Sequence, residues 1–148
     1  MRRSVILMLS VILLTACEPS GQRPGVMLSG EESPVPENWQ FTDEYKEIAI
    51  QVSTPWLVPH AVTIWCAQVD GQLYVAASAP ETKNWPGWVV DDPNVRLKID
   101  DRVYNVTLDQ LNNPDEIARV QAAYAAKYDL NPEGRMGTSR YWRVEARG

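Results

Sequence analysis

From position 47 onward the chain is written in short runs of apolar residues spaced by polar ones. The run 47–53 (EIAIQVS) puts Ile48, Ile50 and Val52 on one face, the period-two signature of a strand. Two β-rich runs follow, 61–69 and 73–79, joined across Asp70-Gly71. An Asp-Gly pair between apolar runs predicts a tight hairpin, because both central residues of its turn must accept positive φ. Both runs are apolar on both faces, so both predict cover on both sides. After a loop at 80–93 with room for one helical turn, 95–99 (VRLKI) and 102–108 predict a second hairpin across Asp100-Asp101. Positions 139–146 (SRYWRVEA) give a last strand.

One helix stands out. Asn113 is its predicted cap, Pro114 takes the first helical position, and Glu116 completes a capping-box-like pattern. Ile117, Val120, Tyr124 and Tyr128 then mark one face at helical spacing, and Asn131-Pro132 predicts the stop. The expected fold is mainly β (α+β): a small six-stranded antiparallel barrel, with this helix between the fifth and sixth strands covering one side.

Upstream the pattern changes twice. Residues 18–38 hold four prolines, three glycines and four glutamates, too little apolar surface to offset the entropy of ordering. A flexible spacer is expected there, with Val26-Met27-Leu28 as an apolar patch able to dock on the domain or on a bilayer. Residues 1–17 read MRRSVILMLSVILLTAC: two arginines, an apolar run from Val5 to Leu14, then small residues and a thiol. The run is too short to span a bilayer, which takes about 20 apolar residues, and has the layout of an export signal. Leu14, Ala16 and Cys17 resemble the box of bacterial lipoprotein signals. The resemblance implies cleavage before Cys17 and acylation of its sulfur by chains such as palmitate. The expected organisation is a signal peptide at 1–16, a lipidated tether at 17–38 and one domain at 39–148. The implied place is outside the cytoplasm, on a bacterial membrane. That is the periplasmic face of the outer membrane or the outer face of the cytoplasmic one, since Glu18 does not match the inner-membrane retention signal.

Composition then removes function classes. Losing Arg2 and Arg3 with the leader leaves 12 basic against 19 acidic side chains, a net charge of −7, which disfavours nucleic acid as a partner. Cys66 has no partner in its chain once Cys17 is acylated; within an apolar run it is expected as a small buried hydrophobe. His60 is the sole histidine, and with Cys66 it does not make a zinc-type site, so no metal is expected. Asp91-Asp92 and Asp100-Asp101 are expected as turn formers. Arg135, Arg140, Arg143 and Arg147 are expected as a solvated strand edge, with attraction to anionic headgroups or an acidic ligand as the functional alternative.

The element order, with Asp70-Gly71-Gln72-Leu73-Tyr74-Val75, the loop tryptophans Trp85 and Trp88, and the helix ending Ala123 to Tyr128, resembles the split β-barrel superfamily. That group includes pyridoxamine-phosphate-oxidase-like flavoproteins and deazaflavin-dependent nitroreductases. The resemblance implies a cofactor phosphate near Ser78, Thr82 and Lys83, with Trp85 or Trp88 stacking on a ring, and FMN or a deazaflavin as the cofactor. The superfamily's basic residue on the second strand is replaced here by Ala67 and Gln68. Split barrels that bind haem would have only His60 as an imidazole ligand. Three functions follow. The leading one is a non-catalytic ligand-binding or interaction module, with its site between the barrel wall and the 78–88 loop. The others are an FMN- or deazaflavin-dependent oxidoreductase, and a scaffold that pairs with itself or another protein. For that last role, split barrels that dimerise across the wall would use 61–69 and 73–79.

Overall fold

Ile48, Ile50 and Val52 point inward together, as their spacing requires, from the first long strand of an antiparallel barrel. The structure is a computed structural model and describes residues 25–131 and 138–148. Cys17 and the signal at 1–16 lie outside the described residues, as does Arg135. The strands are β1 (Glu31–Glu32), β2 (Ile48–Val52), β3 (His60–Ile64), β4 (Cys66–Val69), β5 (Gln72–Ala77), β6 (Asn94–Ile99), β7 (Arg102–Gln110) and β8 (Arg140–Ala146); the helices are α1 (Trp85–Asp91) and α2 (Pro114–Tyr128). The sheet runs β3-β2-β6-β7-β8-β5-β4, with β1 added parallel to β7 and every other pairing antiparallel.

This is a split β-barrel, and its seam has a simple cause. The two outermost strands, β3 and β4, are one sequence run broken only at Trp65, so the expected single strand at 61–69 serves as both rims. Ile64 and Cys66 keep facing the interior across the break, while Trp65 turns outward and stays 43 % exposed. The interior is filled by Ile48, Ile50, Leu73, Val75, Leu97, Val106, Trp142 and Val144, all essentially sealed from water. The Asp70-Gly71 hairpin forms with φ of 51° and 83°, the positive pair that its turn demands. A Cβ on Gly71 would also stand 3.0 Å from the Asn38 side chain.

Helix α2 lies on the outward face of β4, β5 and β8, burying Val120 and Tyr124 against Ala67, Tyr74 and Tyr141. That explains why 66–69 and 73–79 are apolar on both faces, whereas Ala61 in β3 is covered by Leu28 instead; the helix occupies much of the β4–β5 wall that dimerisation was expected to use. The Asn113 side chain accepts from the Asp115 and Glu116 amides, as a cap should. Glu116 itself does not close a capping box. Its carboxylate takes the Arg143 guanidinium instead, a doubly charged hydrogen-bonded pair worth more than a bond to a backbone amide. The helix ends before Asn131, because Asp129 turns left-handed at φ 53°.

Two tyrosines of α2 stand in for a missing strand at the seam. The Tyr128 hydroxyl accepts from the Cys66 amide at 3.1 Å and shares its one proton between the Cys66 and Lys46 carbonyls, each at 2.8 Å. The Tyr124 hydroxyl donates to the Trp65 carbonyl at 3.1 Å. Burial pushes both phenols up from their ordinary value, so both keep the proton they donate. Tyr128→Phe is therefore expected to cost about 1–3 kcal/mol, the penalty for stranding a buried donor and acceptor. Urea unfolding would read it, and a loss below ~0.5 kcal/mol would mean that water replaces the hydroxyl.

The spacer expected at 17–38 is different in its second half, where 25–38 is strapped to the barrel. Gly25 and Ala61 exchange backbone hydrogen bonds of 3.0 and 2.7 Å. Leu28 is buried against Ala49 and Ala61, so the apolar patch docks on the domain through that residue, while Val26 and Met27 stay exposed. Gly30, at φ 155°, runs so close to Asp101 that a Cβ there would sit 2.6 Å from its carbonyl oxygen. Proline-rich composition argued for disorder; backbone hydrogen bonds to a preformed sheet, with a few apolar contacts, supply the order instead.

Two expectations about charged residues also meet the fold. Strand β8 lies between β7 and β5, so its arginines are not on an edge. Arg143 is tied to Glu116 at 2.6 Å, Asp109 at 3.1 Å and Glu145 at 3.3 Å, and Arg147 donates to the Val95 carbonyl. Asp92 does form a turn, accepting from the Asn94 amide, and Asp100 takes φ 55° in its hairpin. Cys66 is fully buried, and burial raises its thiol pKa although Lys127 approaches to 3.6 Å. No described helix is long and apolar enough to cross a membrane.

Candidate functional site

Ser78, Thr82 and Lys83 are brought together by a sharp turn after β5. Ala79 takes φ 46°, a short 3-10 turn spans Pro80–Thr82, and α1 starts at Trp85. The turn also settles where their polar groups go. Lys83 donates its ammonium to the Ser78 carbonyl, and the Thr82 hydroxyl donates to the Ala79 carbonyl at 2.8 Å. The cation and the hydroxyl thus each donate to a carbonyl of their own turn, and Ser78, Thr82 and Lys83 all remain exposed.

The tryptophans separate. Trp85 is 4 % exposed and packs against Trp142 at 5.0 Å, inside the core. Trp88 is half-buried on the other side of α1, edge-on to Trp56 at 5.5 Å and to His60 at 5.3 Å. The single imidazole therefore packs against an indole. Among the described residues no three His, Cys, Asp or Glu side chains are placed to hold a metal ion.

Two clefts among the described residues are lined by none of Ser78, Thr82, Lys83, Trp85 and Trp88. The first, about 320 Å³, opens where β2 ends and β6 begins. Its polar lining comes from Gln51, Ser53, Thr54, Asp92, Asn94 and the two arginines Arg96 and Arg147; Leu57 and Pro59 form its apolar lip. Gln51 and Arg96 face each other in the β2–β6 register, with their side chains bonded at 3.3 Å. Burial works against charge on Asp92, but hydrogen bonds from Ser53 and Asn94 and the positive Arg147 prevail and hold its carboxyl below the ordinary value. The cleft thus holds two guanidiniums that already have protein partners, Arg96 with Glu32 and the Leu28 carbonyl and Arg147 with the Val95 carbonyl, beside one held carboxylate, while the Thr54 hydroxyl gives its proton to the Val58 carbonyl. The second cleft, about 430 Å³, lies beside the Asp70-Gly71 turn between Val35 and Ala146, and among its lining residues the only charged side chains are acidic.

Sequence reasoning missed the arginine-lined cleft. Arg96 and Gln51 carried a signal as polar positions on alternating strands, but nothing local shows that they face one another, or that Arg147 joins them from the other end of the chain.

A family model described as "Uncharacterized protein conserved in bacteria" matches residues 41–145. The chain belongs to the DUF2255 family. No curated protein matches the sequence. Solved structures similar to this DUF2255 protein include a conserved hypothetical protein from Mycobacterium tuberculosis, with 17 % identity, a TM-score of 0.62, and coverage of 73 % of this chain and 77 % of that one. The haem storage protein HutZ from Vibrio cholerae is 11 % identical, with a TM-score of 0.60 and coverage of 74 % and 87 %. An F420-H2-dependent reductase is 15 % identical, with a TM-score of 0.57 and coverage of 68 % and 95 %. At these identities the likeness is one of fold.

Proposed function

We propose that this DUF2255 protein is an exported lipoprotein, held on a bacterial membrane by acyl chains on Cys17, whose barrel is a non-catalytic ligand-binding or interaction module. The observation that carries the non-catalytic part is the 78–83 turn, in which Lys83 and Thr82 each donate to a backbone carbonyl of their own turn and Trp85 is buried in the core. The ligand site moves accordingly from the 78–88 loop to the cleft at Arg96 and Arg147. A small molecule with an anionic group would meet two guanidiniums there, in competition with Glu32 for Arg96, because guanidinium donors favour such groups.

A second reading keeps an FMN- or deazaflavin-dependent oxidoreductase, supported by the fold likeness to an F420-H2-dependent reductase. It would use the exposed Ser78, Thr82 and Lys83 for the cofactor phosphate, with Trp88 supplying the stacking surface. A haem binder, by likeness to HutZ, would have to use His60.

One preparation separates the readings: absorbance and native mass of the protein purified from its own host's membranes. The binder reading predicts no flavin, deazaflavin or Soret band, and a chain beginning at an acylated Cys17. A visible band that disappears in Lys83→Ala would overturn it in favour of the oxidoreductase. The same mass spectrum reads a homodimer directly.

A further inference from the structure

We infer that the loop at 53–59, between β2 and β3, is a membrane-contact loop whose Trp56, Leu57 and Val58 enter the headgroup–acyl boundary of the bilayer. The inference rests on the lipoprotein reading above for which surface the loop meets.

The first observation is exposure. Trp56 is 63 %, Leu57 92 % and Val58 48 % exposed, three consecutive large apolar side chains in water. Burial of such side chains is favourable in proportion to the apolar area removed from water, so leaving three out has a cost that a partner surface would remove.

The second observation is that the loop is built to hold them out. The Thr54 hydroxyl, itself sealed from water, donates to the Val58 carbonyl at 2.6 Å, and the Leu57 amide donates to the Thr54 carbonyl at 3.1 Å. Pro55 and Pro59 bracket the turn, and the Trp56 ring is braced edge-on against Trp88. Leu57 sits at φ 65°, a conformation that a branched side chain adopts only when its surroundings impose it. A side chain fixed in this way loses little further freedom on docking.

The third observation selects a bilayer as the occupant. The chain departs towards Cys17 from Gly25, which is hydrogen-bonded to Ala61, the second residue of the strand that this loop feeds. Val26 and Met27, 57 % and 68 % exposed, continue the apolar character at that exit. The eight Cα–Cα steps from Cys17 to Gly25 cannot span more than about 28 Å. An acylated Cys17 would therefore hold this side of the barrel within a short distance of the bilayer. Tryptophan with neighbouring aliphatic side chains is the composition that favours the membrane–water boundary. Leu57 and Pro59 also form the lip of the arginine-lined cleft, so the cleft would open beside the headgroup layer.

The test uses the full-length lipidated protein in phosphatidylcholine–phosphatidylglycerol vesicles, with Leu57→Cys carrying an NBD fluorophore. Cys66 is buried and Cys17 acylated, so the label is confined to one site; Ala118→Cys on the exposed face of α2 is the reference. Vesicle flotation reads the anchor, and quenching reads the loop. Expected are co-flotation, iodide quenching at position 57 about fivefold weaker than at 118, and quenching by doxyl-labelled lipid at 57 alone, as for a segment at the acyl boundary. Co-flotation with position 57 as open to iodide as 118 would overturn the loop inference and leave the anchor standing. Protection from iodide without quenching by doxyl lipid would overturn it in favour of a protein partner. Failure to float overturns the anchor, and the inference with it.

Discussion

Trp142→Ala is expected to lower the unfolding free energy by about 3–5 kcal/mol, the range for truncating a sealed aromatic in a packed core. Trp142 is 1 % exposed in the middle of β8 and is the largest side chain so thoroughly buried. Its indole contacts Trp85 at 5.0 Å, so its loss also removes the floor on which α1 rests. Domains of this size hold about 5–15 kcal/mol in all, so the variant should sit near the threshold of folding. Trp142→Phe keeps most of the volume and should lose clearly less. Urea midpoints for the two variants check the expectation, and a loss under about 1 kcal/mol for alanine would mean that the barrel collapses around the gap.

Arg143→Met is expected to cost about 1.5–3 kcal/mol at neutral pH, the worth of hydrogen bonds to a charged group. The guanidinium bonds both Glu116 oxygens, at 2.7 Å to Oε1 and 2.6 Å to Oε2, and the Tyr74 hydroxyl donates to Oε1 at 2.9 Å. The Glu116 side chain is only 14 % exposed, so methionine leaves a poorly hydrated carboxylate without its cation. Arg143→Met with Glu116→Gln should recover part of the loss. The pair also sets an acid limit. Hydrogen bonds from Arg143 hold the Glu116 carboxyl below its ordinary value of 4.5. A depressed folded-state pKa gives stability that is fully present above 4.5 and is lost as pH falls through the lower folded value. The wild-type urea midpoint should therefore drop between about pH 5 and pH 3, and the drop should shrink in Arg143→Met. An equally steep drop in the variant would mean that other carboxylates control acid unfolding.

What was legible in the chain was what local chemistry fixes. Ile48, Ile50 and Val52 declare a strand by alternation, Asp70-Gly71 declares its turn because few pairs accept two positive φ values, and Asn113-Pro114 declares the start of α2. The break at Trp65 was hidden because a run of strand-forming residues carries no mark where one rim of a sheet becomes the other. The strap at 25–38 was hidden because it is held chiefly by backbone groups, which every sequence has. At the candidate site, the closeness of Ser78, Thr82 and Lys83 was readable. That same closeness lets Lys83 fold back on its own turn, which no pattern of residue types reveals. The arginine-lined cleft depends on β2, β6 and the C-terminal end meeting, a product of topology alone.

The tyrosines at the seam bear on how this molecule associates with copies of itself. A sheet with unclaimed rims invites a neighbouring chain to extend it, the route towards filaments and strand-swapped pairs. Here the outward-facing groups of Ala61 are claimed by Gly25 and those of Cys66 by Tyr128, so an incoming strand meets donors and acceptors that are already engaged. At these two positions a second barrel could be held only by side chains, where a single substitution can abolish the contact without disturbing the ladder beneath.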